Sequence, residues 1–259
     1  MHVKGILIFH LKCKQQCSIA GRRENRDLVG GFETEIGKYP FIASLLFTSD
    51  LSVYSQKCVG SILNRRSVLT KANCFWNDSP DTWRIRVGSS YANSGGQVHA
   101  TLRIISHPEL NPFYSENDVA ILHAAVHFTF SDFVSAGSIA GRNYVIADDE
   151  PVWAVGWGRS SVSATPSEIM RHIPMNYINI EKCKYIYVYW AMYPTDDMMC
   201  AVVDPNKHRN ESQGEQGSPV LHNNVIVGLA SWGLQYLRSE YPGISTRVSS
   251  YTPWIVANA

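Results

Sequence analysis

The chain has 259 residues, 45% of them hydrophobic, enough for a sizeable buried core and, at this length, for one globular unit of two halves. Its 23 basic and 22 acidic residues leave a net charge of +1, which excludes an electrostatic reason to bind nucleic acid or an anionic membrane. No apolar run reaches the ~18 residues of a membrane-spanning helix, so function must come from a shaped site. Residues 1–27 are polar and basic and read as a leader and processing segment. Within them GILIFHL, following Lys4, reads as the apolar region of a signal peptide, short and interrupted by His10, with a disordered segment as the alternative.

From Leu28 the texture becomes β-rich. FIASLLF, CVGSIL, SVLT, WRIRV, QVHATLRII and VAILH follow one another, separated by Gly, Asn, Ser, Asp and Pro clusters. VWAV, IMRHIPM, DMMCAVV, VIVGLASW and GISTR form a second series. The expected fold is all-β, two six-stranded antiparallel β-barrels in tandem, the first over about 28–138 and the second over about 150–248. Ser250 and Pro253 start a short C-terminal helix over about 250–257, packed by Trp254, Ile255 and Val256.

Six cysteines allow 15 pairings. Cys58 and Cys74 bracket two strand-like runs, a spacing that suits a bridge from a hairpin to the loop after it. Cys183 and Cys200 bracket a short helix and the turn YPTDD in the same way. Neither pair has metal-ligand spacing, so no zinc, and no metal or cofactor of any kind, is expected. Bridges imply an oxidising compartment and an extracellular, secreted protein.

Several strings now combine: LVGG at 28–31, CVGSILN at 58–64, LTKANC at 69–74, DVAIL at 118–122, AVGWG at 154–158, GEQGSP at 214–219, SWG at 231–233 and PGISTRVSSYTPWI at 242–255. In this order and spacing they resemble the chymotrypsin/trypsin-like serine proteases, with the texture of insect trypsins, over 28–259. The resemblance implies a double β-barrel with the active cleft between the halves. It also implies a serine nucleophile, a histidine base, an aspartate that orients the base, and backbone N–H groups for the oxyanion.

At the aspartate position stands Asp118, at the histidine position Asn73, and at the serine position Gln216. An amide is no base near neutral pH and a poor nucleophile. The oxyanion donors fall at Gly214 and Gln216, and the specificity pocket at Asn210, Ser231, Trp232 and Gly233, with asparagine where trypsins carry an acidic floor. Ser218 and His107 are the candidate substitutes and both read as structural. Ser212 stands where a bridging cysteine is expected, and Glu215 where an aspartate pairs with a released N-terminus. Arg26 is followed by Asp27, so cleavage there leaves a terminus one residue too long. Asn77-Asp78-Ser79 and Asn210-Glu211-Ser212 are glycosylation sequons, and the loop GSSYANSGGQVHA has no carboxylate for calcium.

The side chains of Asn73 and Ser231 are expected to donate to Asp118 and keep the cleft folded. The resemblance and its two replacements imply a secreted, monomeric homologue that is not an enzyme. It would act by binding a protein or peptide ligand in its cleft, such as protease inhibitors or active proteases. The alternative is an active serine-type endopeptidase with an atypical site.

Overall fold

Trp83, Ile85 and Val87 are buried while Arg84 and Arg86 between them reach toward solvent, the period-two pattern of a strand with one face on a core. The same pressure organises the rest of the chain in a computed structural model that describes residues 31–158, 167–188, 192–203, 215–233 and 241–259. Strands β1 (Phe32–Glu33), β2 (Ile42–Phe47), β3 (Ser55–Ile62), β4 (Ser67–Thr70), β5 (Trp83–Val87), β6 (Gln97–Ser106) and β7 (Ala120–Ala124) come first. β8 (Ser138–Ile139), β9 (Pro151–Gly156), β10 (Arg171–Ile178), β11 (Met198–Val202), β12 (Pro219–His222), β13 (Val225–Trp232) and β14 (Gly243–Arg247) follow. Helix α1 (Ile180–Val188) precedes β11, and α2 (Val248–Asn258) ends the chain.

β2, β3, β4, β7, β6 and β5 close into a six-stranded antiparallel barrel, with β5 returning to β2. β9, β10, β11, β14, β13 and β12 close into the second, through pairings of β9 with both β10 and β12. Two short strands lie outside these rings: β1 pairs antiparallel with β10, and β8 pairs parallel with β13. VLH, next to the GEQGSP turn, supplies β12 and completes the second ring. Closure removes the free strand edges that invite aggregation.

Each barrel is filled by its inward residues. Phe75 packs edge-on to Trp83 at 4.4 Å, and Trp157 is likewise fully buried and donates from Nε1 to the carbonyl of Ser90. The bridges Cys58–Cys74 and Cys183–Cys200 are both formed. No helix among the described residues is long and apolar enough to cross a membrane.

His172 on β10 accommodates a polar ring in this interior by hydrogen bonding Tyr39 Oη through Nδ1 at 2.7 Å and stacking on Trp153 at 4.9 Å. Burial, with Lys38 nearby, pushes its pKa down to about 4. The folded state therefore holds the ring neutral while the unfolded chain takes a proton below ~6.5. Stability from this group is complete above that value and is lost as pH falls toward about 4. Urea denaturation should give a protein weaker by on the order of 1–3 kcal/mol at pH 5 than at pH 7.5, with a flatter profile in His172→Gln. An equally steep profile in that variant contradicts the assignment.

Candidate functional site

β4 ends at Thr70, and the chain turns through Lys71 into a short 3-10 helix over Ala72–Phe75. The Cys58–Cys74 bridge ties this turn to β3, so Asn73 sits on a fixed backbone. Asp118 immediately precedes the core residues leading into β7 and is fully buried. Its Oδ1 accepts the backbone N–H of Asn73 at 2.7 Å, and its Oδ2 accepts the Ser231 hydroxyl at 2.6 Å. Its own carbonyl accepts from Thr246 Oγ1 at 2.9 Å. Asn73 and Asp118 belong to the first barrel, Ser231 and Thr246 to the second, so one buried carboxylate joins the two halves.

The expected bond from the Asn73 side chain to Asp118 is not made. Asn73 Nδ2 instead donates to the carbonyl of Pro112 at 3.2 Å and to Ser115 Oγ at 3.1 Å. The reason is a residue the sequence reading passed over. Lys71, buried like its neighbours, places Nζ 3.4 Å from Asp118 Oδ2 and donates to the carbonyl of Ser231 at 3.1 Å. The Asn73 N–H and the Ser231 O–H donate to Asp118 and the Lys71 ammonium supplies its counter-charge, while the carboxamide turns to the neighbouring loop. The available signal was a lysine inside LTKANC, a run whose apolar members are all buried; lysine is almost never buried unless paired.

The Asn73 carboxamide thus holds the loop NPFYSEN. Asn73→Ala should lower the melting temperature by roughly 2–4 °C, the effect of about 1 kcal/mol of hydrogen bonding in a chain of this size. An unchanged value in differential scanning calorimetry contradicts that role.

Gln216 lies in the turn after Glu215 with its side chain exposed. The turn is anchored on both sides: Val59 donates to the Gln216 carbonyl at 3.0 Å, and Gly217 donates to the Ala230 carbonyl at 2.8 Å. Gly217 has φ +81°, and a Cβ there would meet the Val59 carbonyl oxygen at 2.3 Å, so only glycine fits. Glu215 accepts from Gln56 Nε2 on one oxygen and from the Trp157 N–H at 3.2 Å on the other. Ser218 is fully buried, its hydroxyl accepting from the Glu215 N–H. His107 packs against Tyr251 and Trp254 of α2. Burial, with Asp197, Asp118 and Glu116 nearby, pushes the Tyr251 phenol well above its ordinary range, and it donates to Asn117 Oδ1 at 3.1 Å.

Ser231, Trp232 and Gly233 follow the point where the β12–β13 ladder ends at Pro219 opposite Leu229. Beside them is a groove of about 720 Å³ walled by Phe113, Tyr114, Met192, Tyr193 and Trp232, with Glu116 the one charged residue among the described residues that line it. Phe113, Tyr114 and Tyr193 are each more than two-thirds exposed. Of this wall only Trp232 is expected from the sequence, although two adjacent aromatics in the polar run NPFYSEN are its trace. Gly214 and Asn210 lie outside the described residues. No group of three or more metal-ligating side chains converges among the described residues.

A family model described as Trypsin matches residues 28–255. The chain is 43% identical over 243 residues to Trypsin CFT-1 of Choristoneura fumiferana, covering 93% of this chain and 95% of that protein. It is 38% identical over 232 residues to Trypsin, alkaline B, of Manduca sexta, covering 90% and 91%. Among solved structures, the crystal structure of scabies mite inactivated protease paralogue S-D1 matches with a TM-score of 0.78 and 24% identity over 88% of this chain and 95% of that one. At that identity the likeness speaks for the fold alone. The named trypsins overturn the expectation that the chain is not an enzyme.

Proposed function

The chain belongs to the trypsin-like serine protease family, and from that premise we propose that it is a serine-type endopeptidase with an atypical site, binding polypeptide in extended form along Ser231–Gly233. In this reading Asn73, Asp118 and Gln216 occupy the three catalytic positions, and the peptide adds to the end of β13 as a further strand. The observation that carries it is the buried junction at Asp118, held by Asn73 N–H and the Ser231 hydroxyl. It joins the two barrels beside the groove walled by Phe113, Tyr114, Met192, Tyr193 and Trp232.

The chemistry follows from what stands there. Amides at 73 and 216 neither take a proton near neutral pH nor attack a carbonyl readily. In a serine protease that carries the same triad on an unrelated fold, losing the nucleophile or the base costs on the order of 10⁶ in kcat, while binding and oxyanion donors alone retain about 10³–10⁴ over water. Hydrolysis at a site so built is slow. Secretion fits the two disulfides.

Purified protein incubated with a mixed peptide library should bind saturably and release products slowly, with cleavage suppressed by an excess of uncleaved peptide. Absence of saturable binding would overturn the reading. A second reading is favoured by the exposed aromatic wall: the same cleft engages protease inhibitors or active proteases as folded partners. In that case a folded inhibitor displaces labelled peptide, whereas no displacement confines the cleft to unfolded segments.

A further inference from the structure

Lys71 is 3% exposed, far from where a solvated ammonium is at ease. Its Nζ lies 3.4 Å from Asp118 Oδ2 and donates to the Ser231 carbonyl at 3.1 Å. Asp118 is fully buried, and among the described residues Lys71 is the cation paired with it. A carboxylate and an ammonium desolvated together are held by their mutual attraction and hydrogen bonds, and removing either strands the other.

The two oxygens of Asp118 are not equivalent. Oδ1 receives the backbone N–H of residue 73, a donor supplied whatever side chain that residue carries. Oδ2 receives the Ser231 hydroxyl and faces Lys71. A base at position 73 would need this carboxylate to fix its tautomer and orientation. With Oδ1 already engaged by the backbone, Oδ2 is the oxygen left for a ring at 73, and the Lys71 ammonium is on it.

We propose that Lys71 is the positioning residue of this site. It supplies the charge that holds Asp118 in the wall between the barrels, and it occupies the face of the carboxylate that a histidine at 73 would use. The inference rests on the reading of positions 73, 118 and 216 as the catalytic ones. It makes Lys71 a third determinant of the site's chemistry beside Asn73 and Gln216.

The test compares Asn73→His/Gln216→Ser with Asn73→His/Gln216→Ser/Lys71→Ala by their rates of labelling with a fluorophosphonate probe across pH. The triple variant should label at least about 10²-fold faster, out of the roughly 10⁴-fold that a wrongly oriented base costs. It alone should show an inflection near an imidazole's ordinary value of ~6.5. Rates within about threefold of each other, whether high or low, overturn the kinetic role. A second measurement does not depend on chemistry. Lys71→Met should lower the melting temperature by about 10 °C, and adding Asp118→Asn should recover most of that loss; additive losses overturn the pairing. Failure of wild-type protein to bind peptide, measured alongside, would remove the proposed function while the melting data still decide on Lys71.

Discussion

Asp118→Ala should destabilise the fold by about 3–5 kcal/mol, the range for removing one partner of a buried ion pair, and lower the melting temperature by about 10 °C. Three contributions add. The Lys71 ammonium loses its counter-charge, since its other polar contact among the described residues is the neutral Ser231 carbonyl. The Asn73 N–H and the Ser231 hydroxyl lose a shared acceptor in the interior. The two barrels lose the Asp118–Ser231 link beneath the cleft. Asp118→Asn should cost less, because it keeps the shape and one carbonyl acceptor while leaving the lysine unpaired. Thermal unfolding followed by circular dichroism measures both. A shift of under about 2 °C for Asp118→Ala would mean that water reaches Lys71 and the junction is not as dry as its burial indicates.

Replacing both Cys58 and Cys74 by serine should cost about 3 kcal/mol, the chain-entropy value for a loop of this length, since the two are 16 residues apart. The second consequence is local. Cys74 is the neighbour of Asn73, and the bridge holds the 3-10 turn that carries Asn73 against β3. Freed from it, the Asn73 N–H and carboxamide no longer hold Asp118 and the NPFYSEN loop at fixed distances, so peptide binding should weaken along with stability. Denaturant titration and peptide titration on the same sample measure the two effects. A stability loss with unchanged peptide binding would show that β4 and β7 alone fix the turn.

The fold was legible because its signals are local and ordered. Alternating strands such as WRIRV, glycine-marked turns and a series of short strings in fixed order point to two barrels without any long-range information. Asp118 and Ser231 were legible as partners through the resemblance. What was not legible lies in the third dimension. Lys71 in LTKANC reads as an ordinary surface cation until the second barrel is placed over it and Ser231 meets its Nζ. The carboxamide of Asn73 has several acceptors within reach in principle, and with two donors and the Lys71 ammonium already at Asp118 it bonds Pro112 and Ser115. The aromatic wall was hidden for the same reason: Phe113 and Tyr114 become a groove only when Met192, Tyr193 and Trp232 are brought opposite them. The two-residue β8, parallel to β13, has no periodicity to read. Asn73 and Gln216 alone suggest a chain that is not an enzyme, and the similarity to named trypsins over nine-tenths of the chain overturns that expectation.

The most direct test of the account is titration of purified protein with fluorescent extended peptides while product release is followed by mass spectrometry. The account predicts saturable binding that Trp232→Ala weakens, with slow hydrolysis on the order of 10⁶ below that of a protease carrying both nucleophile and base. Peptides that neither bind nor are cleaved would contradict it.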